Sequence, residues 1–262
     1  ESGLSLCDMA IDEPLTVNFN GQVWEPRNHT RTFAGSMTLA RALIYSNNII
    51  SIKVLLSIGA DKIVDLAKRC HITGDINPYP SLALGCIDSP LIEVASLFSI
   101  FAHNGIYMQP HLISSIKDSD GKKIYQATIH EERVIASKVA SQINRVLMVG
   151  LEKKKHLVKQ WIDSDAMSKT GTTNDSRTCW FVGATPELTT AVYVGCDDNR
   201  PMGVTVFPLH TSFPIWVDFH TQIISKHKHF MYDPSLQSVY VDSKTGQFFD
   251  GPYSKDIYQL LV

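Results

Sequence analysis

Three strand-like segments follow one another with only short links: Ala166 to Thr173, Thr178 to Ala184 and Leu188 to Cys196. Links this short make hairpins, and hairpin-linked strands make an antiparallel sheet. The last link, Thr185-Pro186-Glu187, is a turn. Most of what precedes these strands reads as helix. Ser36 is placed as the N-cap of a helix over Met37 to Tyr45, broken at Ser46-Asn47-Asn48. A second helix runs from Ile49 to Ile58, with Gly59 at its C-terminal side, and a third from Asp61 to Arg69, with Ile63, Leu66 and Ala67 on one face. In SPLIEVASLFSIFAHNG, Ser89 is the expected N-cap, Pro90 the first helical residue and Asn104-Gly105 the stop. An Asp-Gly hairpin is expected in KDSDGKKIY, and a helix from Ser137 to Leu151. A late helix, Phe213 to Ser225, and a hairpin in SVYVDSKTGQFFD follow the strands. The chain divides into an irregular lead-in (1–35), a mainly helical part (36–160) and a sheet part with the late helix (161–262). The class is α+β.

At 262 residues, with 44% hydrophobic and 19% charged, the chain can bury a sizeable core. A net charge of −2 and the lack of a basic stripe argue against a nucleic-acid partner. Lys153 to Lys155 read as a solvated helix end, as do His227 and His229, whose other reading is adventitious metal binding. The five cysteines show no zinc spacing, and Cys179 and Cys196 read as small core residues rather than a redox pair. No apolar run approaches the ~18–20 residues needed to cross a bilayer.

Lys-Thr-Gly occurs twice. In YVDSKTGQFF, Asp242 can close a turn with its side chain and Gly246 can supply positive φ, so Lys244-Thr245-Gly246 reads as a turn. The earlier copy begins a strand, Lys169-Thr170-Gly171-Thr172-Thr173, in which alternation sets Thr170 and Thr172 on one face, Lys169 and Gly171 on the other. Two hydroxyls in register beside an ammonium suit a carboxylate. Ser46-Asn47-Asn48, the chain's sole Ser-x-Asn, sits at a helix break and reads either as a helix cap or as polar groups projecting into a cleft.

The pairing of Ser-x-Asn with KTG resembles the penicillin-binding proteins and serine β-lactamases. The likeness extends through GSMTLARALIYSNN, YPSLALGCIDSPLIEVASLFSIFAHNGIYMQP and MSKTGTTNDSRTCWFVGATPELTTAVYVGCDD, in order from Gly35 to His220. Together they resemble the transpeptidase domain of a class A, bifunctional penicillin-binding protein. Ser168 stands where the family usually has Gly, and Thr178 where it has Asp before the Trp.

The resemblance implies a transpeptidase fold, with an antiparallel sheet flanked by helices and a mostly helical subdomain. ESGLSL resembles the segment just past the family's nucleophile helix, so the chain is expected to be N-terminally truncated and to lack the Ser-x-x-Lys serine. Ser114/Lys117, Ser119/Lys122 and Ser225/Lys228 match that spacing, but all follow Ser46 and none precedes Pro-Phe. The implied activity is peptidoglycan D,D-transpeptidation through a serine acyl-enzyme; a non-catalytic sensor or scaffold, and a carboxypeptidase or β-lactamase-like hydrolase, are the alternatives. Ser46 and Asn48 would serve proton relay and substrate-amide contacts, and Lys169 the positive potential. Thr170, Gly171, Thr172 and Thr173 would bind substrate, with Thr172 N–H as half of an oxyanion hole. The implied ligands are D-Ala-D-Ala stem peptides and β-lactams, with no metal or organic cofactor. Cell-wall synthesis partners, an upstream glycosyltransferase domain and a membrane-anchored location on the periplasmic face of the bacterial inner membrane complete the expectation.

Overall fold

A computed structural model describes residues 2–173, 176–203 and 205–262. The lead-in carries β1 (Met9–Asp12), β2 (Val17–Phe19) and β3 (Gln22–Trp24), then β4 (Gly35–Thr38) and α1 (Leu39–Ile44). Next come α2 (Asn48–Ile58), α3 (Ala60–Arg69) and α4 (Leu91–Ala102). β5 (Ile106–Met108), β6 (Ser115–Lys117), β7 (Lys123–Gln126) and β8 (Glu131–Arg133) lead to α5 (Ser137–Glu152). The second half holds β9 (Met167–Thr172), β10 (Thr178–Ala184), β11 (Thr189–Gly195) and α6 (Ser212–Ile223). It closes with β12 (Ser238–Asp242), β13 (Phe248–Phe249) and β14 (Ile257–Leu261).

The three expected strands form one antiparallel sheet in the order β11-β10-β9. Alternation divides its side chains between two helical layers. Met167 and Ala184 lie opposite each other and pack with Leu147 and Met148 of α5 and Phe98 and Phe101 of α4. Phe181 points the other way, onto Phe213 and Trp216 of α6, with ring centroids 5.0 and 5.3 Å away. Burying such rings stabilises a fold by roughly 1.5–3 kcal/mol each. Gly183 is required by this packing, because a Cβ there would lie 2.7 Å from the Met167 carbonyl and 2.8 Å from the Trp216 ring. His220, fully buried, stacks on Trp216 at 4.0 Å and meets Thr190 Oγ1 through Nε2 at 2.7 Å. Burial pulls its pKa down to about 4, so the imidazole is neutral at physiological pH.

Several expectations need correction. The lead-in is not irregular: β1 pairs antiparallel with β4, and β2 with β3. Gly35 to Thr38 is therefore strand, and Thr38, not Ser36, caps the following helix, its Oγ1 accepting from Arg41 N–H at 3.2 Å. Ser89 does not cap α4 either; Pro90 occupies the cap position without a side-chain bond. The expected Asp-Gly hairpin does form, as β6-β7, and β5 pairs with β8. The tail adds a strand, β14, that pairs with β12 on the side opposite β13. The helices expected over 49–58, 61–69, 137–151 and 213–225 appear as α2, α3, α5 and α6 with ends displaced by no more than two residues.

Candidate active site

Ser46 owes its position to the junction of two helices. Its N–H donates to Leu43 O, and Asn47 N–H reaches back to Ala42 O at 2.9 Å, closing α1 with Ser46 at φ +53°. A left-handed residue at this place is the usual way to end a helix, but glycine normally fills it. A serine there accepts strain and in return carries a hydroxyl. Asn47 then starts α2, its Oδ1 accepting from Ile50 N–H at 2.9 Å. The two readings of Ser-Asn-Asn are thus divided between neighbours: Asn47 is the cap, and Ser46 is exposed.

Lys169 comes to meet that hydroxyl from β9. It shares a sheet face with Met167, towards α5, and its Nζ donates to Ser46 Oγ and to Thr170 O at 3.0 Å. Helix break and strand are 123 positions apart in the chain, and the fold joins them in one polar corner. Burial lowers the Lys169 pKa to about 8, since a desolvated ammonium is costly to keep. Among the described residues, no carboxylate forms an ion pair with it. Ser46 with Lys169 is therefore a hydroxyl–amine pair poised for proton transfer and for attracting an anion.

The other expected residues are placed as follows. Thr170 lies opposite Phe181 and Thr172 opposite Cys179, on the α6 face of the sheet, whereas Gly171 lies opposite Trp180 on the Lys169 face. Thr170 is half-buried and Thr172 exposed, so the two hydroxyls stand in register along the strand, as alternation predicted. A Cβ at Gly171 would come within 3.3 Å of Trp180 Cβ. Thr173 is committed locally: its Oγ1 accepts from Thr178 N–H at 2.9 Å and lies 3.2 Å from Thr178 Oγ1. Asn48 is engaged with the lead-in, its amide donating to Arg27 O at 2.9 Å and its N–H to Asn28 Oδ1 at 3.1 Å. Asn28 is in turn held by Asp12, a buried carboxylate of β1. The lead-in strands, read as irregular, thereby brace the helix break. Ser168 is buried with its Oγ unpartnered in the structure, a polar group that glycine would not bring.

The second Lys-Thr-Gly is a turn. Asp242 Oδ1 accepts from Lys244 N–H at 2.8 Å and Thr245 N–H at 3.0 Å, and Gly246 has φ +73°. Lys244 is exposed and pairs with Asp256 at 2.8 Å. Of the other Ser-x-x-Lys matches, Ser114 and Ser119 lie in or beside the β6-β7 hairpin, and Ser225 follows α6. No group of three or more His, Cys, Asp or Glu gathers at a metal-binding distance among the described residues.

One contributor escaped the sequence reading. Lys154, inside the basic run, is half-buried rather than solvated and donates through Nζ to Gly150 O at 2.6 Å. Its pKa falls to about 8, through burial first and repulsion from Lys169 second.

The chain thus combines an α+β fold with a serine at a helix break and a lysine on the facing strand. The Transpeptidase family model, described as the penicillin binding protein transpeptidase domain, matches residues 8–200, and the chain belongs to that family. Its relatives include penicillin-binding protein 1A of Neisseria cinerea, 31% identical over 83% of this chain, and penicillin-binding protein 1A of Rickettsia conorii, 28% identical over 96%. The chain spans 28% and 35% of those two proteins. In fold it is similar to the crystal structure of penicillin-binding protein 1A from Haemophilus influenzae, with a TM-score of 0.86 over 99% of this chain and 45% of that one, at 24% identity. PonA1 from Mycobacterium tuberculosis in complex with penicillin V gives 0.77 over 88% of this chain and 67% of its own, at 22% identity. No described helix is long and apolar enough to cross a membrane.

Proposed function

We propose that this chain is the greater part of a peptidoglycan D,D-transpeptidase domain that cross-links stem peptides through a serine acyl-enzyme. The observation that carries the reading is the hydrogen bond from Lys169 Nζ to Ser46 Oγ, which joins the family's two downstream motifs in one corner. The acylated serine belongs, on this reading, to sequence upstream of residue 1. Its hydroxyl attacks the carbonyl between the two D-Ala residues; the C–N bond breaks, the terminal D-Ala leaves, and an amine of a neighbouring stem then displaces the serine. Ser46 passes the proton to the leaving amine. Lys169 supplies positive potential, Thr170 and Thr172 hold the terminal carboxylate, and the Thr172 N–H donates to the oxyanion. One such donor lowers the barrier by about 2.7–4 kcal/mol. Asn48 would contact the substrate amide only after releasing Arg27 O, to which its side chain is bonded.

The same reading places the protein at the bacterial cell envelope, with a glycosyltransferase domain and membrane anchor upstream and with cell-wall synthesis enzymes as partners. The full-length protein is expected to form a covalent adduct with fluorescent penicillin, while residues 1–262 alone are not. Labelling of the shorter chain contradicts the upstream nucleophile. A full-length protein that never labels supports a non-catalytic scaffold.

A further inference from the structure

Among the described residues, three buried side-chain polar atoms have no hydrogen-bond partner: Ser168 Oγ, Trp216 Nε1 and His220 Nδ1. One belongs to β9 and two to α6, and the three residues are at most 2% exposed. Buried polar groups are nearly always bonded, so three orphans in one layer call for one explanation. None of them serves a step of the reaction proposed above.

Their proximity follows from the strand register. Ser168 lies opposite Gly183, and directly opposed residues share a face of the sheet, with Cβ positions roughly 4.5–5.5 Å apart. A Cβ on Gly183 would stand 3.0 Å from Trp216 Cε2, the ring atom bonded to Nε1. The indole therefore fills the room that Gly183 leaves, which brings its N–H beside Ser168. Trp216 in turn stacks on His220 at 4.0 Å, with the ring planes 25° apart. Hydroxyl, indole N–H and imidazole face one small space without bonding one another, a separation that a single bridging molecule spans.

The chemistry of the three groups selects that molecule. The indole N–H only donates, and the serine hydroxyl both donates and accepts. Imidazole Nε2 meets Thr190 Oγ1 at 2.7 Å, so Nδ1 is an acceptor or a donor according to which of that pair holds the proton. The imidazole is neutral, and the packed neighbours Phe181, Phe213 and Val217 carry no charge, so neither an anion nor a cation is favoured there. Water accepts from the indole, exchanges a bond with the serine and meets either tautomer of the histidine. Three bonds are also the usual number for an internal water. A cleft of about 360 Å³, lined by Trp161, Asp163, Thr221 and Lys226, reaches His220 from outside and offers the way in.

We propose that one buried water molecule is bound jointly by Ser168, Trp216 and His220, tying the lysine-bearing strand β9 to α6 one residue before Lys169.

The inference does not depend on the transpeptidase reading, and a protein that never binds penicillin would leave it intact. A high-resolution crystal structure of the full-length protein should show a single water-sized density peak within hydrogen-bonding distance of all three atoms. Absence of the peak, direct bonds among the three side chains, or density larger than a water overturns the proposal. Ser168→Ala gives a second reading, because the two cases differ in sign. Removing an orphaned hydroxyl relieves a buried polar group and leaves the melting temperature unchanged or higher. Removing a ligand of a bound water should instead lower it by about 2–4 °C in the full-length protein. An unchanged or raised melting temperature overturns the proposal.

Discussion

Lys169 and Lys244 each open a Lys-Thr-Gly, but they meet opposite surroundings. Lys169 starts inside a strand that is packed on α5, loses much of its water and ends on a serine hydroxyl. Lys244 stands in a turn, exposed, against the carboxylate of Asp256. The tripeptide itself does not decide which one can do chemistry. What decides is the residue two positions before it, Met167 or Asp242, and the register after it. Asp242 seizes the backbone of the second copy with two hydrogen bonds, and Gly246 completes the turn with positive φ. The first copy has Met167 and Ser168 before it, both buried in the sheet, and continues extended through Thr172. A lysine in a turn finds water and a counter-ion. On a strand facing a helix it finds neither, and its pKa falls.

The largest expected effect sharpens the active side of this comparison. In the full-length protein, Ser46→Ala should slow acylation by penicillin about 10²–10⁴-fold, the range of a lost general acid–base group. Adding Lys169→Ala should cost little more, because residues acting as a unit are strongly non-additive. Stopped-flow acylation of both single variants and the double variant tests this; simple multiplication of the two losses would separate the residues.

The turn copy should respond in stability instead. Asp242→Ala removes two acceptor contacts and should lower stability by about 1–2 kcal/mol in denaturant titration, while leaving the acylation rate within error. A rate loss without a stability loss would give the second copy a role in the reaction.

A smaller effect concerns pH. Lys244 first, and Arg41 second, hold the Asp256 carboxyl down at about 2. Its unfolded value is 3.8, so the contribution is whole above that pH and is lost as pH falls towards about 2. Lys244→Met should raise the folded value and make melting temperature less steep below about pH 4. No change in that acid slope would mean the pair is screened into insignificance.

Much of the site's scaffold was legible in the sequence because its signals are local. Short links between β-rich segments specify the β9-β10-β11 sheet, and the apolar period of 137–151 specifies α5. What escaped depends on partners distant in sequence. Gly35 to Thr38 resembles a helix entrance until Met9 to Asp12 pairs with it, and the tail becomes β14 only by lying beside β12. The split between Ser46 and Asn47 was hidden for a different reason. A cap and an exposed polar group ask for the same small side chains, so composition cannot divide them, whereas the left-handed backbone at Ser46 and the cap bond of Asn47 do. Asn48 and Lys154 are the clearest cases: the first is bonded to Arg27 in the lead-in, and the second folds back onto the Gly150 carbonyl.

The central claim is that one Lys-Thr-Gly serves the reaction and the other serves the fold. The most direct measurement is the rate of fluorescent-penicillin acylation in full-length Lys169→Ala and Lys244→Ala, side by side with the wild type. The account predicts a loss of about 10²–10³-fold for Lys169→Ala, the scale of removing electrostatic stabilisation from a buried site, and a wild-type rate for Lys244→Ala. Equal losses, or a larger loss at Lys244, would contradict it.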